Sequence, residues 1–105
     1  MLGDFEYQIL TSIIALRGEA YGSPVKKKIE DSFSRTVSYG ALYTTLMRLE
    51  KKGLVEFEIG DSTPVRGGRA KKLFTVTGDG QKAISEKMNF LSSAHSSITN
   101  GGSYA

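Results

Sequence analysis

Leu2, Phe5, Ile9, Ile13 and Leu16 recur at the spacing of one helical face at the start of the chain, and Tyr7, Leu10 and Ile14 make a second apolar face. One stripe suffices to seat a surface helix on a core, so the second is a candidate surface for a partner subunit. Gly18 is expected to stop this helix, and Tyr21-Gly22 to turn the chain. Ser23 then supplies an N-cap with Pro24 at the first helical position. The second helix runs to about Phe33 and buries Val25, Ile29 and Phe33. Arg35 to Val37 form a connector. Ser38 caps a third helix that Gly53 ends, with Leu42, Leu46 and Leu49 on its buried face.

From Leu54 to Ile59 the period changes to two, with Val55, Phe57 and Ile59 alternating with Glu56 and Glu58, the pattern of a half-buried strand. Gly60 to Gly68 breaks that pattern and Leu73 to Val76 resumes it, which predicts a hairpin with a long tip. Thr77 can cap a last helix beginning near Asp79. There Ile84, Met88, Leu91, His95 and Ile98 alternate spacings of four and three, as in a coiled-coil seam. Serines at 92, 93, 96 and 97 weaken the helix beyond Leu91, and a frayed tail is expected over 100–105. Three helices followed by a two-stranded wing define a mainly α fold with a small β-hairpin, the winged helix-turn-helix. The expected division is a DNA-binding domain over 1–77, a C-terminal dimerisation helix over 78–99 and the tail.

A chain of 105 residues is one domain with a single modest core, and a partner would help it. The absence of cysteine excludes disulfides and thiolate metal sites. The apolar runs are too short to span a bilayer, and the acidic start MLGDFEYQIL lacks the flank of a signal peptide, so a cytoplasmic protein is expected.

The net charge of +3 says little by itself, but its distribution is uneven. Arg66, Arg69, Lys71 and Lys72 cluster around Gly67-Gly68 with no acid among them, on a loop able to follow phosphates or enter a minor groove. A solvated charge run is the plain alternative, but a position after the third helix aims the loop at the same duplex. Lys26, Lys27 and Lys28 open the second helix, where the macrodipole disfavours exposed cations by about 0.3–1 kcal/mol each. Nearby phosphates would offset this, with Lys27 the candidate contact; a solvated face balanced by Glu30 and Asp31 is the other account.

Opposite the leucines of the third helix lie Gly40, Tyr43, Thr44, Met47 and Lys51, with Arg48 at the edge and Ser38 and Tyr39 at the opening. Gly40 lets a backbone approach a duplex, hydroxyls of Tyr39, Tyr43 and Thr44 reach phosphates or base edges, Met47 or Thr44 meets a thymine methyl, and Arg48 reads guanine or clamps phosphate. The competing account is an ordinary surface with Tyr43 at the margin of the core. An enzyme is not expected: His95 is the only histidine, and no carboxylate pair sits beside a nucleophile. Gly78-Asp79-Gly80 lacks phosphate-loop spacing, and no cofactor or metal site is expected.

An ordered set of residues resembles the PadR family of bacterial transcriptional regulators across nearly the whole domain. It comprises Leu2-Gly3, Tyr7 and Leu10, Tyr21-Gly22-Ser23-Pro24, Val37-Ser38, Gly40 to Leu46, Arg48 to Leu54, Gly67-Gly68-Arg69, and Thr77 before Gly80. The resemblance implies a homodimeric repressor of double-stranded DNA with inverted-repeat operators, its interface built from the first and last helices. Tyr7, Leu10, Ile14, Ile84, Met88 and Leu91 are the candidate interface residues; the alternative is that they complete one monomer's core. Leu73-Phe74 stands where the family usually has an aromatic pair, and the chain has no tryptophan with which some relatives sandwich planar ligands. A small-molecule effector is therefore of unknown identity. Tyr7, Met88 and Phe90 can line a cavity near the dimer axis or simply pack. The function class competing with DNA binding is a winged-helix adaptor that binds protein.

Overall fold

The computed structural model describes residues 1–60 and 71–100, with side chains described as far as His95. Four helices and one hairpin follow in the order α1 (Asp4–Ala15), α2 (Gly22–Phe33), α3 (Tyr39–Lys51), β1 (Val55–Ile59), β2 (Lys72–Val76) and α4 (Gly78–Asn100). The expected mainly α winged helix-turn-helix is the observed fold.

Ile9, Leu10 and Ile13 of α1 pack with Val25 and Ile29 of α2 and with Leu42, Leu46 and Leu49 of α3. Val55, Phe74, Val76 and Ile84 close the core from the wing and α4. α1 ends at Ala15, and the turn is made by Arg17 and Gly18, both at positive φ. α2 begins earlier than expected: its first helical bond runs from the Val25 N–H to the Tyr21 carbonyl (3.0 Å), which makes Tyr21 the cap instead of Ser23. Pro24 still lies in the first turn, where a missing N–H costs nothing. Phe33 is exposed at the C-terminal end of α2 and does not join Val25 and Ile29 in the core.

Local chemistry fixes both ends of α3. The Ser38 hydroxyl accepts from the Ala41 N–H at 3.1 Å. At the far end Gly53 adopts φ +75°, Gly53 N–H bonds the Glu50 carbonyl (2.9 Å) and Leu54 N–H the Leu49 carbonyl (3.0 Å). This is a Schellman closure, which favours glycine at the left-handed position.

β1 and β2 pair antiparallel with Val55 opposite Val76, Phe57 opposite Phe74 and Ile59 opposite Lys72. These six share one face of the hairpin. On that face Val55, Val76 and Phe74 are buried while Phe57 and Ile59 are exposed, so β1 is less covered than its alternation suggested, because the core reaches Phe74 of β2 but not the outer part of β1. The Phe74 N–H donates to the Ala20 carbonyl (3.0 Å), tying β2 to the segment before α2.

Thr77 joins the wing to α4, donating its hydroxyl to the Gly53 carbonyl and accepting from the Gly80 N–H at 3.0 Å. A β-carbon at Gly80 would overlap the Leu54 carbonyl and Val76, so this helix start fits tightly. α4 continues to Asn100, past the serines expected to weaken it; serine costs a helix only tenths of a kcal/mol per residue, about 0.5. The expected tail beyond Asn100 lies outside the described residues.

Candidate nucleic-acid interface

Burial on one side of α3 determines what the other side presents. Leu42, Leu46 and Leu49 are fully covered, and Thr45 is buried with its hydroxyl donating to the Ala41 carbonyl at 2.8 Å. Ser38, Tyr39, Gly40, Tyr43, Thr44, Met47 and Arg48 are all exposed, and Lys51 extends the set at the C-terminal end. A β-carbon at Gly40 would meet nothing within 4 Å among the described residues, so none of their contacts requires glycine there.

A row of aromatic rings crosses the interface and joins three elements. Tyr39 stacks on Tyr43 (6.2 Å between centroids, 23° between planes), Tyr43 meets Phe74 at 6.4 Å and Phe74 meets Phe57 at 6.0 Å. Ammonium groups lie over both ends, Lys26 at 5.4 Å from the Tyr39 ring and Lys72 at 4.5 Å from the Phe57 ring. The Tyr43 hydroxyl lies against the first residue of α2, where a β-carbon on Gly22 would overlap it. Tyr43 thus has a positioning role beside its exposed edge. Sequence spacing carried no sign of it, since the four rings come from three elements.

The lysines of α2 divide. Lys26 is half-buried and committed to Glu30 at 3.0 Å, whereas Lys27 is exposed and pairs loosely with exposed Asp31 at 3.3 Å. Glu30 also accepts from the Val37 N–H (3.0 Å), and that bond with the Lys26 pair holds its carboxyl below the ordinary value. Lys71 and Lys72 stand exposed at the outer end of the hairpin, where Lys72 pairs with Ile59, and the Lys71 ammonium lies 5.8 Å from the Tyr21 ring. Arg66 and Arg69 lie outside the described residues.

Ion pairs at the other end of α3 were not foreseen, because they join residues far apart in sequence. Glu6 accepts from the Gly3 N–H and from Lys52, both at 2.9 Å. Burial pushes the Glu6 carboxyl up, but these two bonds, with the charges of Lys52 and Arg48, outweigh it and hold the group below its ordinary value. Lys87 of α4 is buried against exposed Asp4 at 3.1 Å.

Among the expected interface residues, Leu10 and Ile84 are covered within the single chain. They belong to its core, as the alternative expected, so neither Leu10 of the second α1 stripe nor Ile84 of the α4 seam is left open for a partner. Tyr7 is half-buried and packs on that core. Ile14, Met88 and Leu91 are exposed, as is Phe90.

Residues 9–86 match the Transcriptional regulator PadR-like family. Among solved structures, the chain is similar to a PadR-like transcription factor from Bacteroides fragilis, with 26% identity, a TM-score of 0.74, and coverage of 90% of this chain and 86% of that one. It is also similar to RosR of H. salinarum, with 28% identity, a TM-score of 0.70, and coverage of 89% and 76%. A PadR family transcription regulator from Clostridium difficile shares the fold at 21% identity and a TM-score of 0.71, covering 93% and 100%. No curated protein matches the chain significantly. With its winged helix-turn-helix, its exposed polar helix face and a match spanning most of its length, the chain belongs to the PadR-like family of transcriptional regulators.

Proposed function

We propose that the protein is a cytoplasmic repressor that binds inverted-repeat operators in double-stranded DNA as a homodimer. Two copies of α3 enter successive major grooves about one helical turn apart, roughly 34 Å, and the wings lie on flanking DNA. The observation that carries this is the division of α3: its leucine face is buried while Tyr39, Gly40, Tyr43, Thr44 and Met47 stand together in the open. Lys27, Arg48, Arg66, Arg69, Lys71 and Lys72 supply phosphate contacts and, for Arg48, a base contact. The dimer uses the exposed Ile14, Met88 and Leu91, with Tyr7 at the margin.

Selecting bound fragments from genomic DNA and footprinting them tests this directly. Affinity for the selected fragment should fall steeply with salt as counterion release loses its advantage. Arg69→Ala should weaken binding to all sequences and reduce the salt slope by about one, whereas changes at Thr44 or Met47 should alter sequence preference. A protein that selects no fragment is instead an adaptor for another protein, whereas an affinity and salt slope that ignore Arg69→Ala remove the wing contact.

A further inference from the structure

The period of the hairpin carries Phe57, Phe74 and Lys72 onto the face that also holds Val55 and Val76. Val55 and Val76 are buried at the base, and between α3 and the wing lies a cleft of about 360 Å³. Tyr43, Leu46, Met47 and Glu50 form the helix wall, and Phe57, Phe74 and Lys72 the wing wall. The size falls within the range of small-molecule sites, and the lining has their character, apolar and aromatic with few charges. Phe57 and Phe74 are tilted by 54° and Tyr43 and Phe74 by 52°, so the three rings present faces at different angles.

Two charges flank the rings, and they are not equivalent. Lys72 is already seated over the Phe57 ring at 4.5 Å. Among the described residues no ion pair engages the Glu50 carboxylate, which lies in the last turn of α3, where the macrodipole disfavours an anion. A cation beside Glu50 would satisfy that carboxylate and lie among π faces.

We infer that this cleft binds a flat aromatic molecule carrying a single ammonium group, its ring among Tyr43, Phe57 and Phe74 and its charge on Glu50, and that such a ligand releases the protein from DNA. The second half rests on the DNA-binding function proposed above. Tyr43 and Met47 form the wall of the cleft and also belong to the DNA-facing side of α3, so ligand and duplex draw on the same side chains. The coupling is negative and reciprocal. Tyr7, Met88 and Phe90 do not line it.

The chain has three methionines, Met1, Met47 and Met88, and they make the test local. In full-length protein carrying ¹³C-methyl methionine, 2-naphthylmethylammonium should shift the Met47 methyl saturably and leave Met88 in place. The matched anion 2-naphthoate should bind more weakly, and Glu50→Gln should weaken the ammonium compound about fivefold, as for a partly exposed ion pair. Phe57→Leu, which removes a ring and keeps an apolar strand residue, should weaken it too. A silent Met47, a shift confined to Met88, equal affinity for the naphthoate, or indifference to Glu50→Gln overturns the site. With the selected operator fragment, the ammonium compound should lower DNA affinity, and a saturating Met47 shift with unchanged operator affinity overturns the coupling. The resonance measurement contains no DNA, so it tests the cleft whether or not the DNA-binding function holds.

Discussion

Gly40 and Gly22 show how one residue type serves opposite purposes in neighbouring helices. At Gly22 the missing β-carbon makes room for the Tyr43 hydroxyl inside the chain; at Gly40 nothing among the described residues needs the space. Gly40→Ala should therefore leave unfolding free energy unchanged or raise it by up to about 1 kcal/mol, since alanine suits a helix better. Operator affinity should fall about tenfold, comparable to losing a good base contact; thermal unfolding and fluorescence anisotropy on the same sample separate the two effects. Glu6 governs a different property. Its folded carboxyl lies below the ordinary value of 4.5, so it stabilises the fold above that pH, and the contribution is lost as pH falls through the lowered value. Glu6→Gln should flatten the acid limb of a stability-versus-pH curve measured by urea unfolding, and an unchanged limb would contradict the pairing with Gly3 and Lys52.

Among the elements, α3 was the most legible because both its ends and its buried face obey local rules. Ser38, Gly53 and the Leu42, Leu46, Leu49 spacing are each sufficient signals, and each stands where expected. Ser38→Ala should cost about 1 kcal/mol in chemical unfolding, and a smaller loss in operator affinity beyond it would reflect the lost cap at the DNA face. α2 was less legible at its start because Ser23-Pro24 satisfies the cap pattern, while the backbone bond from Val25 to Tyr21 begins the helix two residues sooner. β1 alternates as a half-buried strand should, but alternation names a face without saying how far along it the core extends. Only Val55 is covered. Exposed Phe57 on that face, with Phe74 and Lys72 of β2, forms one wall of the cleft beside α3.

At the scale of the whole molecule, the proposed dimer would tie DNA affinity to the surface left open by α1 and α4. Ile14, Met88, Phe90 and Leu91 are exposed large apolar side chains on these two helices, and burying them in a dimer would remove that surface from water. Leu91→Glu should give monomers in sedimentation velocity and a collapse of operator affinity with little change in the fold of the isolated chain. A wild-type protein that sediments only as a monomer would remove the symmetric operator.

The chain's periodicities, caps and turn residues determined its element order and fold, because those signals act over a few residues and read the same in any surroundings. They also marked the outward face of α3, which follows from burying its leucines. They did not determine which apolar residues of α1 and α4 face inward: Tyr7, Leu10 and Ile14 share a stripe, yet Leu10 is buried and Ile14 open. Nor did they reveal the ring row from Tyr39 to Phe57, the pairing of Glu6 with Lys52, or the cleft between helix and wing. Those depend on how separate elements approach one another, and that packing was decided by the tertiary fold alone.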